Sequence, residues 1–215
     1  MINLLNITLI IAAYLIGSIP TAVWVGKIFY NKDVREYGSG NAGATNTFRV
    51  LGVKAGIPVL IVDIFKGWLS VKLPYFFDTG MFAHTSSFIN FQLVLGLAAL
   101  LGHIFPIYAG FRGGKGIATL LGIIIALDFQ GALFAISVFL VVLATTRYVS
   151  LSSMLAAMSF PLYIIAIEKN PYLSITIFSL FIAILVLITH QKNIERLLRG
   201  EESKIFSKKN HLDDD

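Results

Sequence analysis

Three stretches of this sequence combine glycines, short polar side chains and cations at spacings suited to holding phosphate. Residues 32–49 read Lys-Asp-Val-Arg-Glu-Tyr-Gly-Ser-Gly-Asn-Ala-Gly-Ala-Thr-Asn-Thr-Phe-Arg. Gly38, Gly40 and Gly43 alternate with Ser39, Asn41, Thr45 and Asn46. Backbone N–H groups and short side chains there can converge on one anion, with Arg49 as a bidentate partner. A polar linker between two helices is the plain alternative for a lone Gly-Ser-Gly, but the length of the run and its Asn, Thr and Arg content favour anion binding. Residues 110–119, Gly-Phe-Arg-Gly-Gly-Lys-Gly-Ile-Ala-Thr, lead straight into an apolar helical run. Gly113, Gly114 and Gly116 let the backbone approach a ligand, the helix start offers free N–H groups, and Arg112 and Lys115 supply charge. The alternative is a tight turn carrying membrane-interface anchors. A nucleotide P-loop is excluded: three residues, not four, separate Gly110 from Gly114, and Gly116 stands where Ser or Thr would hold magnesium.

The third stretch, residues 189–204, reads as a continuation of the last apolar helix out of the membrane. His190 and Asn193 are three apart, so they share a helix face and can address one ligand. Arg196 and Arg199 are explained in part by a basic interfacial helix whose side chains reach for headgroups. A His190–Glu195 dyad is discounted, because five positions on a helix point about 140° apart. Asp63 and Lys66, three apart inside an apolar run, form either a structural ion pair or part of the site; Lys66 is kept as a substrate-binding candidate. His103, ahead of Phe105-Pro106, reads as a packing residue. Ser150, Ser152 and Ser153 either cap the next helix or bind a second phosphate, and Ser150 is kept as a candidate.

What must position these residues is a membrane fold. Of 215 residues 56% are hydrophobic and 13% charged, with a mean hydropathy of +0.79; soluble domains carry about 25% charged residues. The +5 net charge therefore reports loop placement rather than nucleic-acid binding. The absence of cysteine excludes disulfides, thiolate metal sites and cysteine nucleophiles. Histidines at 84, 103, 190 and 211 are too scattered for a metal site, so no metal or cofactor is expected.

A span needs about 20 apolar helical residues. Runs at 4–25, 53–77, 91–109, 151–167 and 172–189 qualify, and 117–146 is interrupted at Asp128-Phe-Gln-Gly131. The first run has no basic residue before it and no cleavage site after it, and is read as a retained span. With 117–146 as two helices and the N-terminus outside, fourteen Lys and Arg fall on the inner side and Lys169 alone outside. With one helix there, the basic tail from Lys192 onward would face outward, against the positive-inside rule. The expectation is an all-α integral membrane protein of one domain, 1–215, with about seven transmembrane helices, the N-terminus outside and the C-terminus cytoplasmic. The fourth helix, 117–127, is short enough that it must tilt, thin the bilayer or re-enter. The terminal aspartates, 213–215, read as a frayed end.

These loops resemble the bacterial acyl-phosphate:glycerol-3-phosphate acyltransferase family, the PlsY family. The likeness runs end to end through Gly17-Ser-Ile-Pro20, Gly38-Ser-Gly-Asn-Ala-Gly-Ala-Thr-Asn46, Asp63-Ile-Phe-Lys-Gly67, Gly102-His-Ile-Phe-Pro106, Phe111-Arg-Gly-Gly-Lys-Gly116 and His190-Gln-Lys-Asn193. The resemblance implies a multi-span enzyme of the bacterial inner membrane with its site on the cytoplasmic face. Such an enzyme moves a fatty acyl group from acyl phosphate, not acyl-CoA, to glycerol-3-phosphate, giving lysophosphatidic acid and inorganic phosphate. It implies a key serine at Ser39 and arginine at Arg49, with Thr45 and Asn46 nearby. Glycerol-3-phosphate binding is implied at Gly113, Gly114, Lys115 and Gly116, and further site residues at His190, Asn193 and Glu202. Glu201 departs from the threonine common in the family. An enzyme producing acyl phosphate is a candidate partner, and a monomer is expected.

An acyl phosphate is a mixed anhydride with a good leaving group, so positioning and charge stabilisation suffice without an acyl-enzyme. On this expectation Arg49, Lys115 and loop amides neutralise two phosphates. Ser39, His190 and Asn193 hold the substrate hydroxyl, and the acyl tail lies in an apolar groove between helices. The hydroxyl proton goes to His190 or to a substrate phosphate; Ser39 as nucleophile is the sharper alternative. A transporter of phosphorylated solutes is the competing class, though the sequence has no related halves and its polar motifs crowd one face. A structural membrane subunit would leave all three loops without a use.

Overall fold

A computed structural model describes residues 3–83 and 85–205. His84, Lys208, Lys209, His211 and the terminal aspartates lie outside the described residues. Among the described residues the structure is all helical, with no strand.

The first apolar run, expected as one span, is two helices rather than one continuous helix. α1 (Leu4–Gly17) and α2 (Thr21–Tyr30) meet at a 42° bend. Pro20 lacks an N–H and cannot continue α1, so the chain breaks at Ser18-Ile19-Pro20. Backbone polar groups exposed in apolar surroundings need partners, and Lys66 Nζ donates to the Ile19 carbonyl at 2.9 Å. Residues read as loop between the first two spans contain a short helix, α3 (Ala44–Leu51), which Gly52 ends with a positive φ before α4 (Val53–Lys72). A 3-10 turn over Leu73–Tyr75 completes that run.

α5 (Ser86–Ile104) starts five residues before the expected span, because Thr85 Oγ1 accepts from Phe88 N and caps a polar first turn. The stretch 117–146 is two helices as expected. α6 (Ile117–Leu127) and α7 (Phe129–Thr146) are separated by Asp128, whose Oδ1 accepts from Gly131 N at 3.0 Å. α8 (Val149–Leu162) runs on as a π-helical segment over Tyr163–Glu168. α9 (Leu173–Thr189) and α10 (Gln191–Leu198) meet at a 60° bend, so the last helix does not continue straight out as expected; it turns at His190.

Ser86–Ala109, Phe129–Thr146 and Val149–Glu168 are each long and apolar enough to cross a membrane, and each bent pair passes the same test as one unit. α4 is 20 residues long and carries Asp63 and Lys66 on its buried side. The apolar core joins α5, α6, α8 and α9 through Leu93, Leu100, Ile123, Phe160, Phe178 and Ile182. Val141 on α7 and Ile184 on α9 are exposed, as lipid-facing side chains are. α6 is pressed onto α4 backbone to backbone. A Cβ on Gly122 would lie 1.9 Å from Ile64 O, and one on Gly67 would lie 2.1 Å from Thr119 O, the close approach that small residues permit in membrane helix pairs.

Candidate active site

The three phosphate-suited loops meet at one end of the bundle. In the first loop Asn46, 1% exposed, organises the turn that presents Ser39. Its Oδ1 accepts from Ser39 N at 2.9 Å and from Ser39 Oγ at 3.1 Å. Its Nδ2 donates to Val34 O at 2.7 Å and Tyr37 O at 3.1 Å. Asn46, expected to bind substrate, is thus fully engaged in holding the loop. Gly38 has φ +61, and a Cβ on it would meet Asn46 Oδ1 at 2.5 Å and Arg49 Cδ at 3.4 Å. Arg49 therefore lies against the same turn, one helical step beyond the exposed Thr45 on α3. Gly40 has φ +71, and Asn41 is half-buried beside it.

The second loop is strapped to the end of α5. Gly113 N donates to Ile104 O, and Gly114 N donates to His103 O, each at 3.2 Å. These two amides hold the loop, so they are not the free phosphate donors expected from the sequence. A Cβ on Gly114 would fall 2.3 Å from His103 Nε2, so the loop sits directly on that buried imidazole. His103 Nδ1 lies 3.1 Å from Thr119 Oγ1 and 3.8 Å from Asp63 Oδ1, the packing role expected of it. Asp63 is paired with Lys66 at 2.8 Å and accepts from Thr21 Oγ1 at 3.1 Å. Lys66, 3% exposed, is held by Asp63 and Ile19 inside the bundle, which answers to the ion-pair reading. Gly116, with φ +83, starts α6; Arg112 is exposed at the loop surface.

Lys115 points from this loop to the third segment, where its Nζ donates to Asn193 Oδ1. Asn193 Nδ2 donates to Glu202 Oε1 at 2.6 Å, Ser150 Oγ donates to the same oxygen at 2.6 Å, and Arg196 Nε donates to Glu202 Oε2 at 2.7 Å. Ser150 is therefore a partner of Glu202 and not a helix cap. Ser152 and Ser153 likewise bond back to Tyr148 O and Val149 O within α8. Arg196, explained in part as an interfacial anchor, is a member of this cluster; its position three residues after Asn193 puts it on a face shared with that residue. Against the upward pull of burial, the bonds from Ser150, Arg196 and Asn193 hold the Glu202 carboxyl below its usual range. Burial pulls Lys115 down to about 8, opposed by Glu202 and aided by the positive charges of Arg196 and of Arg49 in the first loop.

His190, 2% exposed, sits in the bend between α9 and α10. Its Nδ1 lies 2.8 Å from Val186 O, so Nδ1 carries the proton and donates there, leaving Nε2 as an acceptor. Burial and the charge of Lys115 push the imidazole down to about 4. His190 is thus neutral at physiological pH. Asn193 N donates to His190 O at 2.8 Å, fixing the two residues relative to each other.

Residues 7–200 match the model of the family described as glycerol-3-phosphate acyltransferase. The chain belongs to the glycerol-3-phosphate acyltransferase family. It is 47% identical over 204 residues to a glycerol-3-phosphate acyltransferase of Listeria monocytogenes serovar 1/2a, covering 95% of this chain and 98% of that one. It is 47% identical over 201 residues to a protein of Bacillus anthracis named glycerol-3-phosphate acyltransferase 2, covering 94% and 100%. The fold is that of PlsY (YgiH), an integral membrane glycerol 3-phosphate acyltransferase whose crystal structure in the glycerol 3-phosphate form aligns with a TM-score of 0.83 at 36% identity, over 93% of this chain and 94% of that one. Its lysophosphatidic acid form aligns with a TM-score of 0.78 at 35% identity, over the same shares of the two chains. Among acyltransferases of this family the present chain is therefore an integral membrane member.

Proposed function

We propose that this protein transfers a fatty acyl group from acyl phosphate to glycerol-3-phosphate, giving lysophosphatidic acid and inorganic phosphate for phospholipid synthesis. The observation that carries the reading is the convergence of Ser39 and Arg49, Lys115, and His190 with Asn193 at one end of the bundle, in a chain of the glycerol-3-phosphate acyltransferase family. Two phosphates must be held side by side, and Lys115 with Arg49 supplies the positive charge that offsets them. The hydroxyl oxygen of glycerol-3-phosphate attacks the acyl carbonyl carbon, the bond from that carbon to the phosphate oxygen breaks, and inorganic phosphate leaves. His190 Nε2 and the Asn193 amide orient the hydroxyl. The proton passes to a substrate phosphate, because an imidazole held near pKa 4 is a weaker acceptor than a phosphate whose second pKa is about 6. Ser39 Oγ donates to Asn46 and has no base beside it among its bonded partners, which favours direct transfer over an acyl-serine.

The acyl tail lies in an apolar cleft between helices. One of about 420 Å³ opens between α4 and α6, lined by Ile61, Ile64, Phe65, Trp68 and Ile125. Ile125 stands eight residues into α6 from Ile117, about 12 Å along the axis, a distance that the first half of a fatty chain covers. The protein sits in the bacterial inner membrane with about seven spans, the N-terminus outside and the site facing the cytoplasm. It acts as a monomer on acyl phosphate supplied by a separate enzyme.

Purified protein in detergent or nanodiscs, given palmitoyl phosphate, should release phosphate only when glycerol-3-phosphate is present. Release without it, or acyl transfer from acyl-CoA alone, would overturn the reading. Uptake of glycerol-3-phosphate into vesicles without chemistry would replace it with a transporter.

A further inference from the structure

The sequence between α2 and Ser39 holds an acid and a base that the proposed reaction does not use, Asp33 and Arg35. Both side chains are largely buried, 10% and 13% exposed. Arg35 Nε donates to Asp33 Oδ1 at 2.9 Å and Arg35 Nη2 to Asp33 Oδ2 at 2.7 Å, a two-pronged pair. Asp33 Oδ1 also accepts from Arg35 N at 3.0 Å, and Lys27 on α2 approaches Oδ2 at 3.3 Å. With two prongs fixed on Asp33, the remaining Nη1 donates to Ala109 O at 2.8 Å. That acceptor lies in the 3-10 turn over Ile107–Ala109, three residues before Arg112 and six before Lys115. Arg35 itself stands four residues before Ser39. The arginine thus joins the loop presenting Ser39 to the loop presenting Lys115, and the Asp33 fork fixes the direction in which it reaches.

We infer that Arg35, aimed by Asp33, is a positioning residue that sets the separation between the Ser39 turn and the Lys115 loop, and so the fit of the paired phosphates between them. This rests on the reaction proposed above. Only a planar fork can bind both Asp33 oxygens and the Ala109 carbonyl at once; a lysine ammonium keeps the charge but reaches one side. A strained second loop alone would not need such a link, because Gly113 and Gly114 already tie it to α5.

The test uses the full-length protein in detergent, with wild type, Arg35→Lys and Arg35→Ala assayed for coupled phosphate release and for thermal unfolding. Wild-type turnover checks the reaction independently, so a silent wild type defeats the proposed function while a working one isolates this inference. Arg35→Lys is expected to lower kcat/KM for glycerol-3-phosphate on the order of 10- to 100-fold, the scale of a loop displaced by about 1 Å, with the unfolding midpoint held within about 4 °C. Arg35→Ala is expected to recover activity when methylguanidinium is added. Wild-type kcat/KM in Arg35→Lys, or a loss in both variants that follows the unfolding midpoint and resists methylguanidinium, would overturn it.

Discussion

Glu202 Oε1 accepts the Asn193 side-chain N–H at 2.6 Å, which turns the Asn193 amide oxygen toward Lys115. The carboxylate therefore sets the amide, and the amide sets the ammonium. Glu202→Ala removes the acceptor for Ser150, Asn193 and Arg196 together, leaving the buried donors of Ser150 and Asn193 unpaired at a cost of about 1–3 kcal/mol each at most. A lowered thermal midpoint and a raised KM for glycerol-3-phosphate are expected, with Glu202→Gln intermediate because it keeps one carbonyl oxygen. Equal KM in wild type and Glu202→Ala would break this chain of orientation.

Lys115 is charged below about pH 8 and loses its proton above that value. Affinity for the phosphate of glycerol-3-phosphate should therefore fall as pH rises through 8 in the free enzyme, seen as a rising KM. Lys115→Arg keeps its charge across this window and should flatten the alkaline limb, whatever it costs in absolute rate. An alkaline limb unchanged in Lys115→Arg would assign it to another group.

His190 is held neutral down to about pH 4, so its protonation cannot set an acid limb higher than that in the free enzyme. If the substrate phosphate takes the proton, the acid limb of kcat/KM lies near the phosphate pKa of about 6. His190→Ala should then lower activity without moving that limb. A limb that disappears in His190→Ala would make the imidazole the base.

Asn46→Asp keeps an acceptor for Ser39 but removes both donations, turning a carboxylate oxygen toward Val34 O and Tyr37 O. A destabilisation of about 1–3 kcal/mol or more is expected, with activity as low as in Ser39→Ala. A stable, fully active Asn46→Asp would show that the turn does not depend on this amide.

Lys66→Met leaves the Asp63 carboxylate unpaired in the bundle, which typically costs about 3–5 kcal/mol. The double variant Asp63→Asn with Lys66→Met removes both charges and should recover much of the lost unfolding midpoint. If it does so and regains wild-type KM for glycerol-3-phosphate, the pair is structural; a stable double variant with a raised KM would return Lys66 to the substrate site.

Much of this arrangement was readable in the residues. The interruption at Asp128-Phe-Gln-Gly131 marks the break between α6 and α7, and the placement of Lys and Arg favours two helices over one. Cationic loops placed on one side agree with the contact of Lys115 with Asn193, which the pattern alone does not specify. Hydropathy alone hid the break at Pro20, because Ser18 and Ile19 do not interrupt an apolar average; only the proline's missing N–H signals it. The partners of Asn46 and Arg35 were hidden for another reason: side-chain bonds to carbonyls 9 and 74 residues away depend on tertiary approach, which no local pattern encodes. Glycines in the second loop suit a ligand's close approach, yet Gly114 is equally required by His103 beneath it.

α6 has eleven residues, about 16 Å of helix, against a hydrocarbon thickness of about 30 Å. A rod of that length covers about half of that thickness, and Lys115 stands one residue before the glycine that starts it. On the function proposed above, a water-soluble acceptor would come to Lys115 from one side of this short helix and an oil-soluble acyl donor from the other.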